Sequence, residues 1–187
     1  MVNPQTIQKL PSVLRPVTDE QGANAAVALI LKPAKSDYEI LLVKRAENPK
    51  DPWSGQIALP GGKRDSKDAD LRATVLRETR EETGITLKEK NLLGVLNVLE
   101  SEPRRNLCIL PFAAFLEDDP QIHLSATELE AYMWVPYERI IRSETTVKFG
   151  FAKVAAYKLQ NATVWGITHR ILSDFNHAVE KAKLTPS

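Results

Sequence analysis

The stretch Arg77-Glu78-Thr79-Arg80-Glu81-Glu82-Thr83-Gly84-Ile85 crowds three glutamates beside a glycine turn, Leu59-Pro60-Gly61-Gly62, with Asp68 between the two. If residues 69–83 form a helix, Glu78 and Glu82 share one face a turn apart, and Glu81 lies three residues on from Glu78. Like charges at that spacing cost a helix about 0.2–0.5 kcal/mol per pair. Anions near its C-terminal end add roughly 0.3–1 kcal/mol each through the macrodipole. Two compensations are open: a solvated acidic face with Arg77 and Arg80 as counter-ions, or a bound hard cation that takes carboxylate oxygens.

The surroundings favour the cation. From Gly62 through Asp68 to Arg77-Glu78-x-x-Glu81-Glu82-x-Gly84-Ile85 the sequence resembles the Nudix box. It departs from that pattern in three places. Asp68 stands where a glutamate is usual, Thr79 replaces an aliphatic residue, and the gap from Asp68 to Arg77 is one residue longer. The core of the box is untouched, so metal binding is expected to persist, and the role of Asp68 stays open.

What the resemblance implies is an α/β/α sandwich and hydrolysis of a phosphoanhydride. Divalent ions polarise phosphoryl oxygens and lower the pKa of water. Carried over onto this chain, the metal ligands are Glu78, Glu81, Glu82 and the Gly61 carbonyl. Glu78 and Glu81 are the catalytic carboxylates, with Glu78 favoured as the base, and Arg77 orients them. The cofactor is Mg²⁺ or Mn²⁺, the partner is a small-molecule nucleotide substrate, and a homodimer is left open because relatives often dimerise.

Leu41-Leu42-Val43-Lys44-Arg45, Gly55-Gln56-Ile57-Ala58-Leu59-Pro60-Gly61-Gly62 and Trp165-Gly166-Ile167-Thr168-His169-Arg170-Ile171-Leu172 are similar to segments of the coenzyme A pyrophosphatase branch. That branch usually carries a histidine where Pro52-Trp53-Ser54 stands here, and Phe where Leu59 stands. The implied substrate is coenzyme A or its thioesters, cleaved to 3′,5′-ADP and 4′-phosphopantetheine. An ADP-ribose, dinucleotide or (d)NTP pyrophosphatase is the alternative in the same class, and a non-catalytic nucleotide-binding regulator is the alternative in another. Arg45, Gly62 and Trp53 are candidate substrate contacts, Arg45 for a phosphate and Trp53 for stacking on a base. Glu128 and Glu130 precede Trp134-Val135-Pro136, where relatives sometimes place a further ligand or base, and their roles stay open. His123, His169 and His177 lack ligand spacing and are assigned no chemistry.

The pattern of apolar runs organises the rest. Ala25–Leu31 and Glu39–Val43 read as strands joined by the turn Pro33-Ala34-Lys35-Ser36-Asp37, and residues 46–54 as a proline loop. Residues 56–59 read as a short strand entering the glycine turn. Leu71, Val75 and Thr79 form the inward stripe of the helix that Gly84 stops. Leu92–Leu99, Leu107–Leu116 and Ala131–Val135 read as strands, 137–142 as a helix, 145–160 as a hairpin, and Trp165–Lys181 as an amphipathic helix through Ile167, Ile171, Phe175 and Val179. Composition and periodicity give an α+β fold in one domain over 22–183, preceded by an extension, 1–21, whose short helix Pro11 and Pro16 would break.

Lys and Arg number 25 against 24 acids and lie in no run longer than pairs such as Arg104-Arg105, so extended nucleic-acid binding is not expected. No apolar run is long enough for a membrane span and no secretory signal is evident, which leads to an expected cytoplasmic location. Cys108, the only cysteine, reads as an inert core thiol in a buried strand.

Overall fold

The computed structural model describes residues 4–35, 38–101, 104–149 and 152–185; residues 36 and 37 of the expected turn and 150 and 151 of the expected hairpin lie outside this set, as do the side chains of 4, 104 and 105. In chain order the elements are α1 (Pro4–Val13), β1 (Ala25–Pro33), β2 (Tyr38–Arg45), β3 (Ile57–Ala58), β4 (Gly61–Lys63), α2 (Leu71–Thr83), β5 (Leu92–Val95), β6 (Leu99–Ser101) and β7 (Arg104–Phe115). Then follow β8 (Leu129–Pro136), α3 (Tyr137–Arg142), β9 (Glu144–Phe149), β10 (Ala152–Lys158), β11 (Thr163–Trp165) and α4 (Gly166–Leu184).

Strand β1 is the spine. It pairs antiparallel with β2 and β4 and parallel with β7, which makes the main sheet mixed, in the order β3-β2-β1-β7-β5. Both of its faces are covered, which is why its sequence is a continuous apolar run rather than an alternation. Leu29 and Leu31 join Ile40 and Leu42 under α1 and α4, against Ile7, Leu10, Phe175 and Val179. Ala28 and Ile30 turn the other way, with Leu41 and Val43, onto Leu71 and Val75 of α2. Period-2 side-chain direction thus sorts one run into two cores. The result is the α+β sandwich with helices on both faces. Strands β9, β10 and β11 make a second, antiparallel sheet that bears out the hairpin reading.

Several local expectations are corrected. Pro11 lies inside α1 and does not break it. So near the C-terminal end its missing N–H removes one bond, and Leu14 N–H still reaches the Leu10 carbonyl at 2.9 Å. The chain leaves the helix when Arg15 exchanges backbone bonds with Val95. The single strand expected over 92–99 is two strands, because Asn97 N–H goes to Asp174 and Val98 N–H to Gln21 instead of to the ladder. Cys108 is half-buried rather than core. No described helix is long and apolar enough to cross a membrane.

Helix α2 positions the acidic residues. Asp70 caps its start by accepting the Ala73 N–H at 2.9 Å, two residues later than the expected boundary. Gly84, at φ 74°, closes its end by donating to the Arg80 carbonyl. The predicted stripe of Leu71, Val75 and Thr79 is fully buried; Glu82, three residues on from Thr79, is buried on the same face, Glu78 lies at its margin, and Glu81 turns outward to solvent. Thr79 fills an apolar slot with a hydroxyl that has no hydrogen-bond partner among the described residues. A buried unsatisfied hydroxyl costs about 1–3 kcal/mol. Replacing it by the isosteric Val (Thr79→Val) is therefore expected to raise stability by about 1 kcal/mol or more, read as a higher denaturant midpoint at unchanged m-value.

Candidate active site

Two adjacent glycines bring a backbone edge against α2. Gly61 adopts φ 148°, and a Cβ there would lie 2.2 Å from the Ala26 carbonyl oxygen and 2.6 Å from Val27 Cα. Only glycine lets β4 sit this close to β1. At Gly62 a Cβ would fall 2.5–2.7 Å from the Glu78 carboxylate. The Glu78 head group therefore rests directly on the Gly62 backbone, and the expected glycine turn is the start of a strand.

Gly61 donates its N–H to Glu82 Oε2 at 2.8 Å. This contact ties Gly61 to Glu82 through its N–H and is separate from the role proposed for its carbonyl as a metal ligand. Glu82 is buried, 3% exposed. Burial, reinforced by Glu128 and Glu78 and opposed by the Gly61 N–H and the Arg45 charge, pushes its carboxyl up to about 8. Glu78 is also raised, first by burial.

Arg77 organises the neighbouring acids. Its Nε and Nη2 donate to the two oxygens of Asp68 at 3.0 and 2.8 Å, and its Nη1 donates to Glu78 at 2.8 Å and Glu81 at 3.0 Å. Asp68, buried, also accepts from the Asp65 N–H and the Thr74 hydroxyl. Its pKa is held well below the usual carboxylate range, chiefly by Arg77. The open role of Asp68 is therefore filled: it is the anchor that orients Arg77. Spacing did not reveal it because the pairing crosses the loop between β4 and α2.

Oxygens of Glu78, Glu82 and Glu128 lie within 4.8 Å of one another. Of the expected trio, Glu78 and Glu82 are brought together here, and Glu128 lies with them. Glu81 is half exposed and drawn toward Arg77 one helical turn back, so its carboxylate stands outside the cluster. Glu128 takes the third place. The segment before it caps α2: His123 N–H reaches the Thr83 carbonyl at 2.8 Å and Ser125 N–H the Glu82 carbonyl at 2.9 Å. Ala46 N–H then holds the Glu128 carbonyl at 2.9 Å. Glu130 instead pairs with Lys44 on the surface. None of the three histidines joins the cluster among the described residues.

The acidic cluster lies at one end of a cavity of about 480 Å³ that Arg45, Gly62 and Trp53 also line. Arg45 pairs with Asp51. Trp53 packs with Ala25, Leu107, Ile109, Val27 and Ile167 as an apolar wall. An all-oxygen donor set, one member deeply buried and short of cations, fits a hard divalent ion such as Mg²⁺ or Mn²⁺.

The family model described as "NUDIX domain" matches residues 22–156. The chain is 28% identical over 183 residues to "Uncharacterized Nudix hydrolase NudL" of Cronobacter sakazakii, covering 92% of this chain and 94% of that one. It is 25% identical over 161 residues to the human "Mitochondrial coenzyme A diphosphatase NUDT8", covering 82% and 67%. Among solved structures, a MutT/nudix family protein from Enterococcus faecalis superposes with a TM-score of 0.63 at 20% identity, covering 88% of this chain and 65% of that one. This last likeness speaks to the fold.

The raised Glu82 pKa has a signed consequence. In the metal-free protein the folded state holds this proton more tightly than the unfolded one, whose value is 4.5. Its stabilising contribution is full below about 4.5 and is lost as pH rises through about 8. A divalent ion competes with that proton. Mn²⁺ is therefore expected to raise Tm more at pH 8.5 than at pH 5.5, and Glu82→Gln to flatten the pH dependence of the metal-free protein, both read by thermal melts.

Proposed function

Since the chain belongs to the Nudix family of pyrophosphohydrolases, we propose that the diphosphate it cleaves is that of coenzyme A or a thioester of it, in a reaction dependent on Mg²⁺ or Mn²⁺. The observation that carries this reading is the convergence of Glu78, Glu82 and Glu128 at one end of a cavity whose other wall is apolar. Similarity to the human coenzyme A diphosphatase and the G-Q-I-A-L-P-G-G segment at Gly55–Gly62 support the choice of substrate.

Glu78, Glu82 and Glu128 would hold the ion, which supplies charge neutralisation on the phosphates and a more acidic water. Each residue has a share in the work. The Gly61 N–H fixes one oxygen of Glu82 and leaves the other free to face the cluster. Arg77, anchored by Asp68, restrains Glu78 from one side while the Gly62 backbone supports it from another. Glu78, raised by burial, is the group we assign to accept the proton of the attacking water. Arg45 lines the same cavity and offers a guanidinium to the diphosphate. Glu81 remains a proposed additional oxygen donor, available if its contact with Arg77 opens. Trp53, first read as a surface for stacking on a base, packs in an apolar cluster with Leu107 and Ile109, and that wall is assigned instead to the non-nucleotide arm of the substrate.

The test is product analysis by mass spectrometry over coenzyme A, acetyl-coenzyme A, ADP-ribose, NADH, dinucleoside polyphosphates and dNTPs, each with Mg²⁺ and with Mn²⁺. The expected result is 3′,5′-ADP from the coenzyme A substrates at the highest kcat/KM. Preferred release of AMP from ADP-ribose or dinucleotides would displace the coenzyme A reading. Glu82→Gln is expected to lower kcat by about 10³-fold or more, since it would remove a ligand of the ion that neutralises charge on the phosphates.

A further inference from the structure

Arg45 ends β2 at the cavity, with its backbone N–H on the Gln56 carbonyl and the next residue tied to the Glu128 carbonyl. The guanidinium is thereby placed beside the acidic cluster, close enough to oppose the rise in the Glu82 pKa. Asp51 Oδ2 accepts from Arg45 Nε at 2.9 Å and from Nη2 at 2.7 Å, while Asp51 Oδ1 accepts the Trp53 N–H at 3.1 Å. The Asp51 side chain is 15% exposed and that of Arg45 32%. A guanidinium carries five N–H donors. Those not given to Asp51 have no partner among the described residues, so they are available to an anion.

We infer that Asp51 is a positioning residue of the diphosphate site: one carboxylate that fixes both the anion-binding Arg45 and the aromatic wall at Trp53. The inference rests on the pyrophosphohydrolase reading for the identity of the anion. Arg45 approaches a strongly acidic cluster, which would otherwise draw its flexible side chain into an ion pair there. One carboxylate oxygen that accepts from both Nε and Nη2 holds the planar head in one orientation and leaves its remaining donors to other acceptors. The second oxygen ties the proline loop to the same point, so the cation and the wall keep a constant separation. The bland alternative is that Asp51 merely staples its own loop through the Trp53 N–H. The two are separable, because Asn at this position keeps a carbonyl for Trp53 and loses the charge that holds Arg45.

The experiment titrates ADP into the full chain at saturating Mn²⁺ by calorimetry, for wild type, Asp51→Asn, Arg45→Ala, the double variant and Asp51→Glu. Asp51→Asn is expected to weaken ADP binding about tenfold with unchanged Mn²⁺ affinity. In the Arg45→Ala background the same change should have no further effect, a non-additivity expected of residues acting as a unit. Asp51→Glu should recover part of the loss. With whichever substrate is turned over, Asp51→Asn should raise KM and leave kcat within about threefold, as for lost uniform binding. Unchanged ADP affinity in Asp51→Asn, losses that multiply in the double variant, or no recovery in Asp51→Glu would each overturn the assignment. The substrate panel decides the earlier reading separately, since ADP binding is measured without turnover.

Discussion

A buried carboxylate with no ion-pair partner among the described residues, Glu82, is the constraint around which the rest of the site is built. Isolated in an apolar interior such a group would simply stay protonated. Here it keeps one N–H, from Gly61, and two other carboxylates for neighbours. The like-charge crowding read from the sequence is therefore real, and the chain does little locally to relieve it. Arg77 is occupied by Asp68, Glu78 and Glu81, and Arg45 is shared with Asp51. Structural ion pairing answers for the rim of the site and leaves its centre short of positive charge. A site arranged in this way is organised for something to be added to it.

The two glycines are the second half of the same arrangement. Gly61 lets β4 close on β1, and Gly62 leaves the space into which the Glu78 head group fits. The first contact is backbone on backbone and the second is backbone on the Glu78 carboxylate, so a side chain at either position would displace part of the site. Helix capping completes it: the segment that closes the end of α2 through the Thr83 and Glu82 carbonyls is also the one that delivers Glu128. Stability of the helix end and assembly of the site are thus served by the same backbone bonds.

The parts legible in the sequence were those set by local period and local chemistry. The Leu71, Val75 and Thr79 stripe, the Gly84 stop, the β1 and β2 pair and the terminal helix all follow from spacing and backbone rules, and the structure has them. The parts that were not legible depend on contacts between distant segments. Glu128 reaches Glu82 only after the chain has crossed the sheet, and its sequence neighbour Glu130 looks equally acidic yet pairs with Lys44 on the surface. Glu81 is adjacent to Glu82 in sequence but is exposed, because a helical step of one residue rotates a side chain by more than a quarter turn. Asp68 gave no local sign that it anchors Arg77, and Pro11 in α1 was outweighed by the burial of Ile7 and Leu10 against α4.

The central claim is that Glu78, Glu82 and Glu128 together form the seat of a divalent ion. Anomalous diffraction from crystals soaked in Mn²⁺ tests it most directly. The account predicts a peak within ligand distance of all three carboxylates, at the acidic end of the cavity. A peak held by Glu81 and Asp68 on the Arg77 side, or no peak at saturating Mn²⁺, would contradict it.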